Sequence, residues 1–270
     1  QKQELLPRVA DGSLLVALAY HERGTRYNVG AVSTRVEETG GGYRLSGEKT
    51  LVWHGHAADL LVVSARVGGA GGELGLFLVP GDAPGLSRAR QWTMHLRPAA
   101  VVKFDGVEIG TEARLGDSGD QTALLEQVID GATLGLSAEM LGSAQAAAEM
   151  TLDYLKTREQ FGVPIGSFQA LKHRAAKLFI EIELARSAVL GACEAIDEGR
   201  DDAAALVSVA KAQCCEAVVL AGYEGIQMHG GIGMTDEHDI GLFAKRARGD
   251  ELTFGDAAYH RDRFARLSGF

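Results

Sequence analysis

Near residue 120 the spacing of apolar residues changes once, from an alternation close to two to a period close to 3.6, and it never changes back. A chain broken in this way builds strands first and helices afterwards, which is the α+β class. Ahead of the break, short apolar runs predict strands over Ser13–Tyr20, Tyr43–Lys49, Ala58–Arg66, Glu73–Pro80 and Ala99–Phe104. Glycines at 40–42, 68–69 and 71–72 suit the turns between them. The expectation for residues 1–118 is a β-domain built as an antiparallel sandwich or barrel. Past the turn Leu115-Gly-Asp-Ser-Gly-Asp120, helical patterns run over about 121–157, 202–228 and 236–267. A fourth begins near Ser167, its expected N-cap, with Leu171, Ala175, Leu178, Ile182, Ala185 and Val189 on one stripe. Residues 119–270 are therefore expected to form an up-and-down four-helix bundle. Gly131, Gly135 and Gly142 fall inside its first helix, where each costs about 1 kcal/mol against Ala, so close packing or a ligand should offset them.

With 270 residues, 46% of them hydrophobic, the chain can bury one large core or two smaller ones. The net charge of −9 argues against a nucleic-acid surface, which needs clustered Lys and Arg to neutralise phosphates. No apolar run reads as a bilayer span and no secretory leader pattern opens the chain, so a soluble cytoplasmic protein is expected. The first residue is Gln, which suggests a fragment, a processed form or a trimmed chain. Cys193, Cys214 and Cys215 lack metal or redox spacing and read as small core residues. His21, His54 and His56 make no metal constellation, His238 and His260 are expected in solvent, and Trp53 and Trp92 are expected to pack.

Two segments of the helical half stand out. Arg158-Glu-Gln-Phe-Gly-Val-Pro-Ile-Gly-Ser-Phe-Gln169 places a guanidinium beside a new helix start, which together make an anion site. By spacing alone, an ordinary interhelical turn with a solvent-facing Arg fits as well. Gln227-Met-His-Gly-Gly-Ile-Gly233 has more glycines than a helix C-cap needs, and no strand precedes it, so it is not a dinucleotide fingerprint.

In this order, after a β-domain, the pattern R-x-Q-F-G-x-P-I-x-x-F-Q followed by Q-x-x-G-G-x-G resembles the acyl-CoA dehydrogenase family over most of the chain. The resemblance implies FAD as cofactor, with these segments reaching across a dimer interface to the pyrophosphate and adenosine of the neighbouring subunit's flavin. By position the binding residues are then Arg158, Phe161, Gln169, Gln227, Gly230 and Gly231. It also implies an N-terminal helical domain, absent from this sequence.

The departures from the family are as informative as the matches. The family's catalytic glutamate aligns with Gly255 in Thr253-Phe-Gly-Asp-Ala257, and the alternative position used by some members is Ala132. Neither can take the α-proton of a thioester, which needs a carboxylate within hydrogen-bond reach. Asp256 and Asp130 are the nearest carboxylates and are displaced along the chain. In place of the family's Thr-Glu-Pro-x-x-Gly-Ser-Asp near the flavin ring stands His21-Glu-Arg-Gly-Thr-Arg-Tyr-Asn28, with His21 for the threonine and Tyr27 for the serine. Leu51-Val-Trp53 replaces a Trp-x-Thr pair.

The resemblance thus points to the small, non-catalytic subunits of pimeloyl-CoA-type and steroid-CoA-type enzymes. It implies α,β-desaturation of an acyl-CoA, a dimer or tetramer with a catalytic subunit, and an electron-transferring flavoprotein as acceptor. Two other readings stay open: a flavin-dependent monooxygenase or nitroalkane-oxidase-like enzyme using Asp256, and a structural subunit with no part in FAD binding.

Overall fold

A computed structural model describes residues 1–69 and 71–270 and divides the chain into two compact units, Gln1–Glu126 and Gln127–Phe270. In the first unit a helix, α1 (Lys2–Ala10), precedes seven strands: β1 (Val16–Ala19), β2 (Arg35–Thr39), β3 (Gly42–Trp53), β4 (Leu60–Val67), β5 (Leu74–Pro80), β6 (Leu86–Gln91) and β7 (Ala99–Gly110). They form one sheet in the order β1-β4-β2-β3-β7-β6, with β5 also paired to β4. The sheet is mixed, because β4 runs parallel to both β1 and β2. This corrects the purely antiparallel expectation. The long antiparallel pair β3–β7 carries two register shifts, one beside Gly47 and one before Val52. At Gly47, φ is +148° and a Cβ would lie 2.8 Å from Thr34 Cα, so the strand bends where only glycine fits. Val36, Leu45, Leu61, Val63, Phe77, Val102 and Val107 close the core with no exposure.

Beneath the 20–34 segment lies a buried ion pair, Lys49 Nζ to Glu22 Oε1 at 2.8 Å. Glu22 also accepts from the Ser33 amide and hydroxyl and from the Thr34 amide (3.0 Å) and hydroxyl (2.7 Å). Lys49 donates in addition to Ser64 Oγ at 3.0 Å and the Tyr20 carbonyl at 3.3 Å. Burial alone would raise the Glu22 pKa, but the ammonium and these donors hold the carboxyl below its usual range.

The second unit holds α2 (Thr122–Thr157, entering from the first unit), a small hairpin of β8 (Glu159–Gln160) and β9 (Val163–Pro164), and four further helices. These are α3 (Gln169–Asp197), α4 (Ala203–His229), α5 (Ile240–Leu252) and α6 (Ala257–Leu267). The single helix expected over 236–267 is therefore two, interrupted at Thr253–Asp256. Phe254 and Gly255 have φ of +58° and +122°, which no helix accommodates, and Asp256 restarts the chain by capping α6.

By length and apolar content the stretch Ala203–Met234 is sufficient to cross a bilayer. It is nevertheless the central helix of the unit, with Val207, Ala210, Cys214, Ala217, Val218 and Ala221 all in the core. Small residues let its neighbours approach: a Cβ on Gly222 would stand 3.0 Å from Ala244 Cα, and one on Gly225 would stand 2.6 Å from Ile240 Cδ1. Burial pushes the Cys214 thiol up to about 12, so it packs as an inert small residue. By contrast, Gly131, Gly135 and Gly142 lie exposed on α2 with nothing within 4 Å of an added Cβ, so no neighbour in this chain offsets their cost.

Candidate cofactor-binding site

The first distinctive segment is a hairpin hung on the end of α2. The Arg158 amide donates to the Tyr154 carbonyl at 2.8 Å, and the Arg158 carbonyl accepts from Ile165 at 2.8 Å, closing the base of β8–β9. Only Phe161 and Gly162 remain for the turn, with φ of +56° and +76°. Two left-handed central residues define a type I′ turn, which favours Asn-Gly and fits Gly162 but penalises Phe161. A left-handed non-glycine costs roughly 1–2 kcal/mol. The strained turn holds the Phe161 ring 91% exposed, with its centroid 6.1 Å from that of Phe168 in an edge-on contact. Strain and apolar exposure together mark a residue held for something outside its own fold.

Beyond the hairpin, Gly166 seats the turn on α2, where a Cβ would meet the Leu155 carbonyl at 2.8 Å. Helix α3 then starts at Gln169, and its N-cap is Phe168 with no side-chain cap. Ser167 belongs to the preceding 3-10 turn and does not cap α3, which corrects the sequence expectation. The uncapped helix start, with Arg158 and Lys172 nearby in the chain, leaves backbone donors and positive charge at one end of the helix.

The second segment ends α4. Gly230 has φ +64° and ψ −137°, a conformation closed to other residues, and its amide donates to the Gln227 carbonyl. Gly233 is required by packing, since a Cβ would press on the Ile226 carbonyl at 2.7 Å. Neither reason applies to Gly231, whose added Cβ would meet nothing and whose φ is ordinary. Gly230 and Gly231 thus present bare, exposed backbone. Gln227, Gln169 and Arg158 are exposed too, and among the described residues none of their side chains makes a hydrogen bond or ion pair.

The two segments meet. Tyr154, whose carbonyl anchors Arg158, packs its ring 4.5 Å from that of His229, the residue before Gly230. His238 completes the cluster at 4.2 Å from His229. Sequence reading did not bring these three aromatics together, and it expected His238 in solvent; the signal was the spacing of Tyr154, one helical turn ahead of Arg158.

The candidate base positions lie elsewhere in the same unit. At Gly255 an added Cβ would collide with the Tyr259 ring and stand 2.7 Å from His260 Nε2, at a φ of +122°. Any side chain there, not only a carboxylate, would have to displace the Tyr259 and His260 rings and would strain the backbone. Asp256 is the α6 N-cap, its Oδ1 accepting from the Tyr259 amide at 2.9 Å. Asp130 is committed to Arg263 at 2.7 Å, and Ala132 is a half-buried methyl.

Around Gly255 the loop is pinned from beneath. Lys211, fully buried on α4, donates to the carbonyls of Asp250 (3.1 Å), Glu251 (3.1 Å) and Gly255 (2.7 Å). It thereby places a cation at the C-terminus of α5. His260 is also buried and lies 3.2 Å from the Phe254 carbonyl through Nε2; burial, then Lys211 and Arg263, depress its pKa to about 3. His260 is thus a neutral core residue and His238 is half-buried, where both were expected in solvent. Trp92, expected to pack, is 76% exposed beneath the Arg90 guanidinium, and Trp53 lies under Arg97.

Residues 17–107 match the acyl-CoA dehydrogenase middle domain, and residues 123–268 match the acyl-CoA dehydrogenase C-terminal domain. The chain belongs to the acyl-CoA dehydrogenase family.

Among its relatives is the acyl-CoA dehydrogenase IpdE2 of Mycobacterium tuberculosis, 45% identical over 122 residues that cover 45% of this chain and 36% of that one. The chain spans less than two thirds of the length of the curated relatives it matches first. Among solved structures, the steroid acyl-CoA dehydrogenase Tcur3481–Tcur3483 is 35% identical with a TM-score of 0.86, over 99% of this chain and 70% of that one. The ChsE4–ChsE5 complex of Mycobacterium tuberculosis is 28% identical with a TM-score of 0.85, over 97% and 69%.

Proposed function

We propose that this chain is the FAD-completing, non-catalytic subunit of an oligomeric acyl-CoA dehydrogenase, whose partner supplies the glutamate. The observation that carries the reading is Gly255: the base position holds no side chain and would admit one only by displacing the Tyr259 and His260 rings, and neighbouring Asp256 and Asp130 are committed to a helix cap and an ion pair. The cofactor-facing end fits FAD. Arg158 and the uncapped start of α3 suit the pyrophosphate, and Gly230 and Gly231 allow close approach. Gln169 and Gln227 offer free amides, and Phe161 an apolar face for the adenosine. When bound, FAD supplies the hydride acceptor for desaturation of an acyl-CoA, and an electron-transferring flavoprotein takes the electrons onward.

In this reading the chain's residues bind and orient the far end of the cofactor, while proton removal belongs to the partner. Two further observations support an oligomer. Phe179, Ile180, Leu184 and Leu190 stand 52–65% exposed on α3, more apolar surface than an isolated helix face usually presents. The ChsE4–ChsE5 likeness supplies a relative that exists as a complex.

Reconstitution tests it. Alone, the chain purifies colourless and without acyl-CoA oxidation; co-expressed with a glutamate-bearing family member, it gives a yellow, active complex that Arg158→Ala strips of flavin. A homo-oligomer of this chain that fills with FAD and oxidises an acyl-CoA overturns the proposal.

A further inference from the structure

The ring cluster of Tyr154, His229 and His238 is not explained by core packing alone. It draws one ring from each of three elements: the last turns of α2, the last residue of α4, and the segment before α5. Tyr154 and His229 rings lie 4.5 Å apart and inclined by 34°, His229 and His238 lie 4.2 Å apart, and Tyr154 meets His238 edge-on at 6.3 Å. Two of the three neighbour a part of the cofactor-facing end: Tyr154 through its carbonyl to Arg158, and His229 by the peptide bond to Gly230.

The hydrogen bonding of His229 fixes its chemistry. Nδ1 lies 2.7 Å from the Gly225 carbonyl, which can only accept, so Nδ1 carries the proton. Nε2 is then a bare lone pair, buried and, among the described residues, without a hydrogen-bond partner; the residue is only 2% exposed. A second proton there has no acceptor and adds charge beside His238. Burial, and then His238, lower the His229 pKa, opposed by the Gly225 bond. Among the described residues, the titratable rings packed on it are the Tyr154 phenol from α2 and the His238 imidazole from the segment before α5, and on its own helix Nδ1 meets the Gly225 carbonyl.

We infer that His229 is a positioning residue: as the neutral Nδ1–H tautomer it locks the Arg158 hairpin to the Gly230–Gly231 turn, and acid weakens flavin retention by protonating it. The inference rests on the proposed role of those two segments in holding FAD. It requires the ring, not the hydrogen bond alone.

The test uses the yellow complex with the catalytic partner, reading flavin released on dilution at pH 7.5 and pH 5.5 by its fluorescence. His229→Asn keeps a donor for the Gly225 carbonyl but removes the ring, and is expected to weaken retention about tenfold at both pH values. His229→Phe keeps the ring but loses the Nδ1–H donor and cannot be protonated; it is expected to retain flavin better than His229→Asn but less well than wild type at pH 7.5, with the acid loss abolished. In the chain alone, ring-nitrogen NMR should show His229 as the Nδ1–H tautomer at pH 7.5. The Nε2–H tautomer, or wild-type retention by His229→Asn at both pH values, overturns the inference. Should Arg158→Ala leave retention unchanged, the underlying FAD reading fails instead.

Discussion

The Arg158–Gln169 hairpin and the Thr253–Asp256 loop are both breaks between helices in one unit, and they are built in opposite ways. Each contains a left-handed phenylalanine followed by a left-handed glycine, Phe161-Gly162 and Phe254-Gly255. Around Phe254 the strain is held from inside the fold, by Lys211 on three carbonyls, by His260 and by the Asp256 cap. Around Phe161 the fold answers with less: the hairpin is closed by the Ile165–Arg158 backbone bond and the ring meets the edge of Phe168, while the ring stays 91% exposed and, among the described residues, Arg158 makes no ion pair. Strain that the fold absorbs speaks of structure; strain left at the surface speaks of a ligand or a partner.

The heaviest blow to this contrast is aimed at Lys211. Lys211→Met keeps the length and volume but leaves buried carbonyls at the end of α5 without their charged donor. Losing such a set costs about 3–5 kcal/mol, or roughly 10 °C in Tm for a chain of this size. Chemical denaturation measures it. A loss below about 1 kcal/mol would mean that the loop stands without its pin.

Gly255 sharpens the comparison further. Gly255→Ala and Gly255→Glu should both destabilise the chain by about 2–4 kcal/mol, because the cost lies in the first carbon of any side chain. Neither should create acyl-CoA oxidation in the chain alone. A Gly255→Glu protein as stable as wild type would show that the loop can open to hold a base, and the division of labour between subunits would lose its main support.

How much of this was legible in the sequence depended on which force set each element. The strands β1, β3, β4, β5 and β7 announced themselves because each carries an apolar run into the core. Strands β2 and β6 did not: Arg35-Val-Glu-Glu-Thr39 buries only Val36, and Leu86-Ser-Arg-Ala-Arg-Gln91 buries nothing fully, so pairing rather than burial holds them in the sheet. The split at Thr253–Asp256 was hidden because helical periodicity continues through it; Gly255 followed by a capping Asp was the readable sign. The hairpin residues were found through motif likeness. Their spatial union through Tyr154 and His229 was not, since a contact between α2 and α4 has no signature in local spacing.

The closed loop also makes a claim about pH. A free imidazole titrates near 6.5, whereas His260 in the fold is held at about 3, so between these values the unfolded chain binds a proton that the native chain refuses. Its contribution is complete above pH 6.5 and is lost progressively as pH falls toward 3, by up to about 1.4 kcal/mol per pH unit. His21 and His229, also lowered first by burial, add to the same slope. Urea midpoints at pH 7.5, 6.5 and 5.5 should fall steadily, and His260→Gln should flatten the slope by as much as one proton. An unchanged slope would place His260 in contact with solvent.

The smallest effect tests the open side. Phe161→Asn puts the preferred Asn-Gly pair into the type I′ turn and removes an exposed ring, so the chain alone should gain about 0.5–1 kcal/mol. Under the proposed function, in which the ring meets the adenosine end, the same change should weaken flavin retention in the complex. Stability and binding would then move in opposite directions, the signature expected of a residue strained for function. A Phe161→Asn chain that is less stable than wild type would assign the ring to the hairpin's own packing against Phe168. Paired with undiminished flavin retention, that outcome would make the two breaks alike and remove the contrast between them.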